Sequence, residues 1–471
     1  MKILLISPHI EIGLLGALPE KYKKMSLGNY PPLGIMYLAS YLEKYSDHKP
    51  ELLDMGLDQL SLPEILEKIE NGGIQAVGLY ASSFNINVVS RIVKAVKKLD
   101  NNIVTILGGP HVELYPEETA MLDSVDYVVP GEGQITLKDL LDALTNKSDI
   151  SAIKGVVYLK SGKVCTNDKR PPVDNLDILP FPARHLTQYK KYYSIIGRSE
   201  VTTSLMTSTG CPYRCNFCST SHAAAAVRVR SAENVVAEIE ECVNMGIREF
   251  FFFDEIFTLN KARTLAICNL ILKKNLKIFF DIRSRINTVD EEMLQKLKEA
   301  GCLRIQYGIE SANPETLKAM NKGITVEESI RVAKLTKKAG IEVFADFMLG
   351  YPGETKKQIL NTINFAIKID ADFVQFGNTQ LLPGTKIYYD ALEKGFIKED
   401  YWRNVAKDPP EVIVPPFASE TFNRDQMLRF HRYAFLKFYF RPRFIYKRLI
   451  KIKSAAELFR QLKTGYHLLL G

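Results

Sequence analysis

Residues 209–220 read TGCPYRCNFCST and place Cys211, Cys215 and Cys218 in the spacing Cys-x-x-x-Cys-x-x-Cys. A loop of this length lets three thiolates converge on one iron–sulfur cluster, with Gly210 and Pro212 shaping the turn. Three cysteine ligands leave one iron of a four-iron cluster open to a substrate or cosubstrate. The alternatives are three unrelated cysteines or a zinc site, and the sequence offers no nearby Cys or His pair to complete a zinc site. The stretch therefore predicts an iron–sulfur site in a loop.

Strand-like apolar runs alternate with helical patterns from residue 201 to residue 390. The runs are SLMTST, EFFFFD, KIFFDIRSR, LRIQYGIE, EVFADFMLG and DFVQFGN, with five helical patterns between them. Continuous apolar strands separated by helices are typical of parallel sheets. A complete barrel needs eight such strands. We therefore predict a partial, TIM-like (β/α)6 barrel with the cysteine loop after its first strand.

A second alternating region covers residues 1–145, with the strand-like runs KILLIS, KPELLDM, AVGLYAS, VTILGG and YVVPG. It predicts a doubly wound, Rossmann-like parallel sheet, in which ligands bind beyond the carboxyl ends of the strands. Residues 146–200 are rich in proline and predict a short extension of the sheet followed by a linker. Residues 391–471 lose the alternation and predict a helical, basic and aromatic C-terminal region. The fold class is therefore α/β.

The composition is that of a globular protein with two or three domains. The 471 residues are 46% hydrophobic and 25% charged, and the net charge is +8. No apolar run approaches the ~20 residues of a membrane span, and MKILLISPHI at the N-terminus lacks the longer apolar region of a signal peptide. We therefore expect a cytoplasmic protein. Seven cysteines, three of them within eight residues, then indicate metal binding rather than disulfides.

The cysteine loop resembles that of the radical S-adenosylmethionine (radical SAM) superfamily. The motif of that family is Cys-x-x-x-Cys-x-aromatic-Cys, and Phe217 stands at the aromatic position. The resemblance covers residues 201–390. It implies a 4Fe-4S cluster held by the three cysteines, SAM chelating the open iron, and reductive cleavage of SAM to a 5′-deoxyadenosyl radical. It also implies an external electron donor such as flavodoxin or ferredoxin.

Later strand ends match the places where this family contacts SAM. Asp254 and Glu255 stand where an acidic motif accepts the SAM amino group. Arg283 and Arg285 alternate on the third strand and share a face, and one of them is implied to pair with the methionyl carboxylate. The sequence leaves the choice between the two arginines open.

Two further elements complete the implied SAM site. Gln306 and Glu310 end the fourth strand on one face, where relatives bind the ribose hydroxyls, and Glu310 is the favoured candidate. Gly350 lies in FMLGYPGE, which resembles the family element beside the adenine. Residues 223–226 are four alanines where relatives carry mixed side chains, so no role is assigned to them. The preceding His222 is either a substrate contact or a solvated loop residue.

The first domain resembles the cobalamin-binding subfamily of these enzymes. Its matching segments are 31–34, 108–111 and 130–133, together with LPFPARHL at 179–186. A glycine-rich rim lets the backbone approach a flat corrin and its nucleotide tail closely. The implied cobalamin contacts are Gly108, Gly109, Pro110, His111, Gly131, Glu132 and Gly133. Ser82, Ser83 and Asn85 are candidates to hydrogen-bond the tail.

We predict that no imidazole of the protein ligates cobalt. Mutase-type cobalamin domains carry Asp-x-His-x-x-Gly, and the nearest stretch here is SPHIEIG at residues 7–13. It lacks the Asp that would orient the ring of His9, and its glycine comes one residue late. His9 is therefore expected to line the rim. His111 either contacts the cofactor or caps its turn.

Residues 429–453 contain nine Lys or Arg, no Asp or Glu, and interleaved aromatic and aliphatic residues. Such a segment can lie on an anionic bilayer, cover an apolar substrate, or pack on the barrel with its charged face solvated. Nucleic acid is a rival partner for basic and aromatic residues, but we expect none. The resemblance to relatives that handle tetrapyrroles and hopanoids implies an apolar substrate.

The pairing of both cofactor domains predicts a cobalamin-dependent radical SAM enzyme that methylates an unactivated carbon of an apolar or lipid-like small molecule. One alternative is a radical cyclase or ring-rearranging enzyme, as in the anaerobic magnesium-protoporphyrin cyclase type. Another is a non-catalytic cobalamin or cluster sensor. A methylthiotransferase is disfavoured, because that family carries three further cluster cysteines in its first domain and residues 1–150 contain none.

Overall fold

The computed structural model of the chain describes residues 1–9, 28–220 and 226–450. These residues form two compact units. The first comprises residues 1–9, 31–192 and 395–414, and the second comprises 28–30, 193–220, 226–394 and 415–450. The boundaries of these units differ from those of the predicted domains. Residues 146–192 belong to the first unit, and the region after residue 390 is divided between both units.

The strands are numbered in chain order. They are β1 (Lys2–Ser7), β2 (Gly28–Asn29), β3 (Lys49–Asp54), β4 (Ala76–Tyr80), β5 (Val104–Gly108), β6 (Tyr127–Val129), β7 (Val157–Lys160), β8 (Lys163–Thr166), β9 (Tyr193–Ser194), β10 (Thr202–Leu205), β11 (Ser208–Thr209), β12 (Arg228–Val229), β13 (Glu249–Phe252), β14 (Phe279–Ser284), β15 (Cys302–Glu310), β16 (Glu342–Leu349) and β17 (Phe373–Asn378).

The α-helices are numbered in the same way. They are α1 (Leu33–Tyr45), α2 (Met55–Asp58), α3 (Leu62–Asn71), α4 (Ile86–Leu99), α5 (Pro110–Leu114), α6 (Pro116–Ala120), α7 (Gly133–Asn146), α8 (Ala232–Asn244), α9 (Lys261–Lys273), α10 (Glu291–Ala300), α11 (Pro314–Ala319), α12 (Val326–Lys338), α13 (Lys356–Lys368), α14 (Lys386–Glu393), α15 (Tyr401–Lys407), α16 (Arg424–Tyr439) and α17 (Pro442–Leu449). None of the helices in the described part of the chain has the length and hydropathy needed to cross a bilayer.

The first unit contains a seven-stranded sheet in the order β3-β1-β4-β5-β6-β7-β8. The first five strands are parallel, and the antiparallel β7 and β8 form the predicted extension. The strand order reverses between β1 and β4, which creates the crevice where doubly wound sheets bind ligands. Apolar residues of α1 and α7 cover one face of the sheet, with Ile35, Leu42 and Leu140 in the core. The doubly wound sheet is as predicted.

Residues 395–414 contribute α15 to the first unit. The buried Trp402 contacts Phe84, with ring centroids 5.7 Å apart. The Nδ2 group of Asn87 donates to the Glu411 carbonyl over 2.8 Å. The loop after β4 is therefore packed against a segment that lies more than 300 residues later in the chain.

The second unit contains a six-stranded parallel sheet in the order β10-β13-β14-β15-β16-β17. Each strand pairs with its successor, as expected for the predicted partial barrel. A capping box of Thr325 and Glu328 begins α12, and one of Thr355 and Gln358 begins α13. These caps fix the residue at which each helix begins after its strand. The functional loops follow the carboxyl ends of the strands.

Helix α16 packs against the last strand of the barrel sheet. The hydroxyl of Tyr439 donates to the Val374 carbonyl over 2.6 Å and accepts from the Val374 N–H over 3.0 Å. Because Val374 lies on the edge strand β17, this contact satisfies backbone groups that would otherwise remain open for pairing. Helix α17 follows, and its Lys447 forms an ion pair with Asp370 over 2.7 Å. Part of the basic segment is thus held by the barrel itself.

Candidate cofactor sites

Strand β10 leads into the cysteine loop through a buried carboxylate. Asp254 is fully buried, and one of its oxygens accepts the Thr207 N–H over 2.7 Å. Its other oxygen accepts the hydroxyls of Thr207 and Ser208 over 2.5 and 2.6 Å. Gly210 then adopts a positive φ of 88°, a conformation that favours glycine, and Cys211 follows. Asp254 therefore anchors the start of the loop.

The three cysteines lie in one neighbourhood. The Cys218 N–H donates to the Cys215 carbonyl over 3.1 Å. Burial raises the pKa of the Cys211 thiol, and the charges of Cys218 and Cys215 raise it further. In the described part of the chain, however, no three Cys, His, Asp or Glu side chains stand together in a metal-ligating arrangement. The structure brings the thiols near one another without closing them on a metal.

The chemistry around the thiols fits an iron–sulfur cluster. Three soft sulfur donors suit iron–sulfur chemistry better than a hard cation. The Arg285 guanidinium lies beside them, with Nη1 3.5 Å from the Cys215 sulfur and its carbon 3.7 Å from the centroid of the Tyr213 ring. A cation at this position suits the negative charge that thiolates carry.

A buried ion pair lies next to Phe217. Lys322 Nζ is 2.7 Å from the Glu310 carboxylate and 5.6 Å from the centroid of the Phe217 ring. Glu310 has a positive φ of 67°, because the pairing of β15 with β16 shifts register between Gly308 and Glu310. The shift aims the Glu310 carboxylate at Lys322. Phe217 and Glu310, both predicted to contact SAM, are thus brought close together through this lysine.

The two predicted acidic residues after β13 differ in access. The oxygens of Asp254 are occupied by Thr207 and Ser208, as described above, whereas Glu255 is exposed. An ammonium group can therefore reach Glu255 but not the carboxylate of Asp254. The geometry favours Glu255 as the acceptor of the SAM amino group.

The two arginines predicted on the third barrel strand also have different surroundings. Arg285 is buried beside Cys215, and its Nη2 group also donates to the Lys322 carbonyl. Arg283 lies one inward-facing position deeper in the barrel and contacts the rings of Phe251 and Phe253. The geometry favours Arg285 for the methionyl carboxylate of SAM.

Gln306 and Gly350 are placed differently from Glu310. The Gln306 Nε2 group donates to both oxygens of Asp346, over 3.0 and 2.8 Å. Burial, followed by the charge of Glu310, raises the pKa of Asp346 to about 7. Gly350 has a positive φ of 74°, its N–H donates to Glu354 over 2.9 Å, and an added Cβ would collide with the Met427 side chain. Gly350 thus lies beneath α16.

The first unit holds a cavity of about 200 Å³ at the carboxyl ends of its strands. Five residues predicted to contact cobalamin line it: Gly108, Gly109, Gly131, Glu132 and Gly133. Gly109 has a positive φ of 108°, and an added Cβ would stand 2.7 Å from the Ala81 carbonyl oxygen. Gln134 also lines the cavity, and its Oε1 atom is buried without a hydrogen bond from the described residues. A glycine-walled cradle with an unfilled acceptor fits the flat tail of cobalamin.

Other residues predicted for cobalamin lie beside this cavity and not in its lining. The side chain of Asn85 accepts the Ser82 N–H over 2.7 Å and donates to the Tyr80 carbonyl over 3.3 Å. Ser83 Oγ lies 2.9 Å from His111 Nδ1, and burial lowers the pKa of His111 to about 4. Pro110 opens α5 next to His111. These side chains bond to one another and to the backbone next to the cavity, outside its lining.

Some predicted elements fall outside the described residues. His222, the alanines at 223–225 and the end of the basic segment at 451–453 are among them. His9 is described and exposed at the end of β1. Its expected place at the rim stays a prediction.

Several residues at these sites carry no sequence signal that marks them. Lys322 lies 12 residues after Glu310 in a loop, and no motif indicates a buried lysine there. Thr207 and Ser208 lie 47 and 46 residues before Asp254. Tyr80 lines the first-unit cavity, and the sequence marks it only as the end of an apolar strand.

Comparison with known protein families matches both parts of the chain. The sequence model of the radical SAM superfamily matches residues 205–366, and that of the B12 binding domain matches residues 24–141. The uncharacterized methyltransferase PH0819 of Pyrococcus horikoshii is 34% identical over 450 residues, which cover 95% of this chain and 94% of that protein. These matches confirm the predicted family.

Two further comparisons, one of sequence and one of structure, are consistent with this family and fold. The anaerobic magnesium-protoporphyrin IX monomethyl ester cyclase of Rubrivivax gelatinosus is 28% identical, over 84% of this chain and 70% of the cyclase. The radical SAM methyltransferase TsrM of Kitasatospora setae, solved with cobalamin and a [4Fe-4S] cluster, superposes with a TM-score of 0.70 at 20% identity, over 83% of this chain and 78% of TsrM. The likeness to TsrM shows a shared fold, which confirms the predicted fold class.

Proposed function

Because the chain belongs to the cobalamin-binding enzymes of the radical SAM superfamily, we propose that it methylates an unactivated carbon of a small molecule. One observation carries the proposal: a single chain holds both the three-cysteine loop at the end of β10 and the glycine-walled cavity of the first unit. When bound, the cluster with SAM supplies hydrogen abstraction by a 5′-deoxyadenosyl radical, and cobalamin supplies methyl transfer.

The second unit would hold the cluster and SAM. Cys211, Cys215 and Cys218 would ligate the cluster, and Arg285 would place its charge beside them. Glu255 would accept the SAM ammonium group, because its carboxylate is accessible. Glu310 would accept ribose hydroxyls through the oxygen that Lys322 leaves open. Gly350, whose missing Cβ leaves room for the Met427 side chain, would contribute backbone packing beside the adenine.

The first unit would hold cobalamin without a protein ligand on cobalt. Its cavity would take the nucleotide tail, with Gly109 and Gly133 permitting close contact. His111 is buried and hydrogen-bonded to Ser83, so its ring is engaged in the interior of the unit. Nitrogen superhyperfine coupling from a protein imidazole in the spectrum of the cob(II)alamin form would refute this assignment.

Product analysis tests the proposed reaction. Reconstituted enzyme is incubated anaerobically with SAM, dithionite and candidate small molecules as methyl acceptors, and both 5′-deoxyadenosine and S-adenosylhomocysteine are quantified. A methyltransferase forms both products. A cyclase or ring-rearranging enzyme, the alternative supported by the similarity to the Rubrivivax protein, forms 5′-deoxyadenosine alone. A sensor forms neither while its cluster remains intact.

An external electron donor such as flavodoxin or ferredoxin would reduce the cluster, because this family requires one. Peripheral membrane contact through residues 429–453 is the second proposal about partners. It is supported by α17, where Tyr446, Leu449 and the adjoining Ile450 are 67%, 53% and 66% exposed. Their apolar surface beside basic side chains suits an anionic bilayer.

Vesicle sedimentation tests the membrane contact. The full chain should sediment with vesicles that contain anionic lipid, and the Tyr446→Ser, Leu449→Ser double variant should remain in the supernatant. Tyr389→Ser, at another exposed aromatic residue, serves as the control. Equal recovery of all three proteins in the supernatant would remove the membrane proposal.

A further inference from the structure

The barrel interior of the second unit contains a cavity of about 160 Å³. Four aromatic side chains line it, those of Tyr30, Phe251, Phe253 and Phe344. Phe253 is 37% exposed, so the aromatic wall is open to a ligand. The cavity therefore offers flat apolar surface inside the barrel.

Two amide side chains line this cavity with hydrogen-bonding atoms that the described residues do not use. Gln375 is exposed at the middle of β17, on the barrel side of the strand. Among the described residues, its side chain makes no hydrogen bond. Gln306 also lines the cavity, and it donates through Nε2 to Asp346, which leaves its Oε1 atom as a free acceptor among the described residues. Amides of this kind orient a ligand that carries its own polar groups.

Arg283 is the charged group of this site that lacks a partner. Its guanidinium carbon lies 5.1 and 4.9 Å from the ring centroids of Phe251 and Phe253. Within the described residues, this guanidinium donates no hydrogen bond and forms no ion pair within 4 Å. Burial lowers the pKa of Arg283, although Asp346 and Glu255 oppose that effect from a distance. A half-buried guanidinium with unfilled donors is costly unless a ligand supplies an acceptor.

Asp346, the carboxylate whose charge acts most strongly on Arg283, already has a hydrogen-bond partner. Both oxygens of Asp346 accept from the Gln306 side-chain amide, so this carboxylate is hydrogen-bonded to Gln306. The guanidinium of Arg283 contacts both rings, and the planar, forked donors of a guanidinium suit bidentate binding of a carboxylate or phosphate. The SAM carboxylate already has a candidate in Arg285, which lies two residues further along the chain, roughly 7 Å toward the cysteine loop.

We infer that the substrate carries an oxyanion, a carboxylate or a phosphate, which Arg283 binds while the aromatic wall holds a flat apolar body. The inference rests on the proposed function and deepens it by naming the substrate class. It also modifies the apolar substrate implied by the resemblance, because an acid group now anchors the apolar part. Gln306 and Gln375 bind polar atoms at the edge of that body.

Probe binding tests the inference without turnover. The reconstituted holoenzyme is titrated with 2-naphthoate, 2-naphthyl phosphate and the uncharged 2-naphthamide, and their dissociation constants are compared. At least one of the two anions should bind about tenfold or more tightly than the amide, which is the size of a charge-assisted hydrogen bond. Which anion binds more tightly distinguishes a carboxylate substrate from a phosphate substrate.

Variants locate the anion. Arg283→Gln should abolish the preference for the anion, and Arg283→Lys should retain part of it, because a lysine keeps the charge without the bidentate geometry. Arg331→Gln, at an exposed arginine on α12, is the matched control and should behave as the wild type. Iron and cobalamin contents, together with thermal melting, verify that each variant is folded.

Several results would overturn the inference. They are equal binding of anion and amide, failure of all probes to bind at millimolar concentration, or an anion preference that survives Arg283→Gln. Loss of SAM affinity in Arg283→Gln with the naphthoate preference intact would assign Arg283 to SAM instead. Absence of 5′-deoxyadenosine from the wild type would count against the proposed function alone, since probe binding needs no radical chemistry.

Discussion

Replacing Asp254 by Asn should loosen the cysteine loop selectively. The carboxylate accepts three hydrogen bonds, from the Thr207 N–H, the Thr207 hydroxyl and the Ser208 hydroxyl. The two hydroxyls can reorient to accept from an amide, but the backbone N–H cannot. An Asn therefore either leaves a buried donor unsatisfied or gives up charge-assisted bonds, at a cost of about 3 kcal/mol. This is a large share of the roughly 5–15 kcal/mol that stabilises a domain.

The single tryptophan of the chain separates local from global effects. Trp402 lies in the first unit, so its fluorescence reports unfolding of that unit, while circular dichroism reports both units. In urea, Asp254→Asn should shift the circular dichroism transition of the second unit and leave the Trp402 transition in place. The variant should also retain less iron per chain after desalting.

Glu255→Gln is the matched control, because it neutralises the neighbouring exposed carboxylate. It should unfold like the wild type to within about 0.5 kcal/mol, keep its iron and bind SAM more weakly. If Asp254→Asn keeps both wild-type stability and iron while losing SAM affinity, Asp254 contacts SAM directly and the anchoring role is refuted.

Three further predictions follow from the buried groups. Glu310→Gln should lower the free energy of unfolding by about 3–5 kcal/mol, because it leaves the buried Lys322 ammonium without a counter-charge. In urea titrations, the Glu310→Gln, Lys322→Met double variant should recover part of this loss. Equal stability of the wild type and the single variant would contradict this. The folded pKa of His111, about 4, lies below its unfolded value near 6.5, so its contribution to stability is complete above pH 6.5 and declines as the pH falls to 4. Between pH 7.5 and pH 5, the unfolding free energy reported by Trp402 should therefore fall by about 2 kcal/mol more in the wild type than in His111→Asn. An equal fall in both proteins would refute this. Gly109→Ala should destabilise the first unit and weaken cobalamin binding, whereas Gly162→Ala, at another positive φ but with open space, should cost only the strain of about 1–2 kcal/mol; equal effects would rule out the collision.

The sheets were predictable because parallel strands buried on both faces appear as continuous apolar runs. Residues 2–7 and 249–252 are such runs, and each lies within a predicted strand. Strand order in the second unit simply follows the chain, so the partial barrel needed no long-range information. The place of residues 395–414 in the first unit was not predictable, because it depends on tertiary packing of Trp402 against Phe84.

The cysteine loop could be located from the sequence because its three cysteines lie within eight residues of one another. Roles that depend on distant partners were not predictable. Alternation places Arg283 and Arg285 on one face but does not say which one reaches the cysteines. Asp254 and Glu255 are neighbours in the chain, and only the structure shows that hydroxyls 46 and 47 residues away occupy Asp254.

The central claim is that Cys211, Cys215 and Cys218 hold a four-iron cluster whose remaining iron binds SAM. Mössbauer spectroscopy of the anaerobically reconstituted, ⁵⁷Fe-enriched protein, with and without SAM, tests it most directly. We predict that one of the four irons changes its isomer shift when SAM is added, while the other three do not. If none of the four isomer shifts changes when SAM is added, or if the protein holds zinc in place of iron, the claim is contradicted.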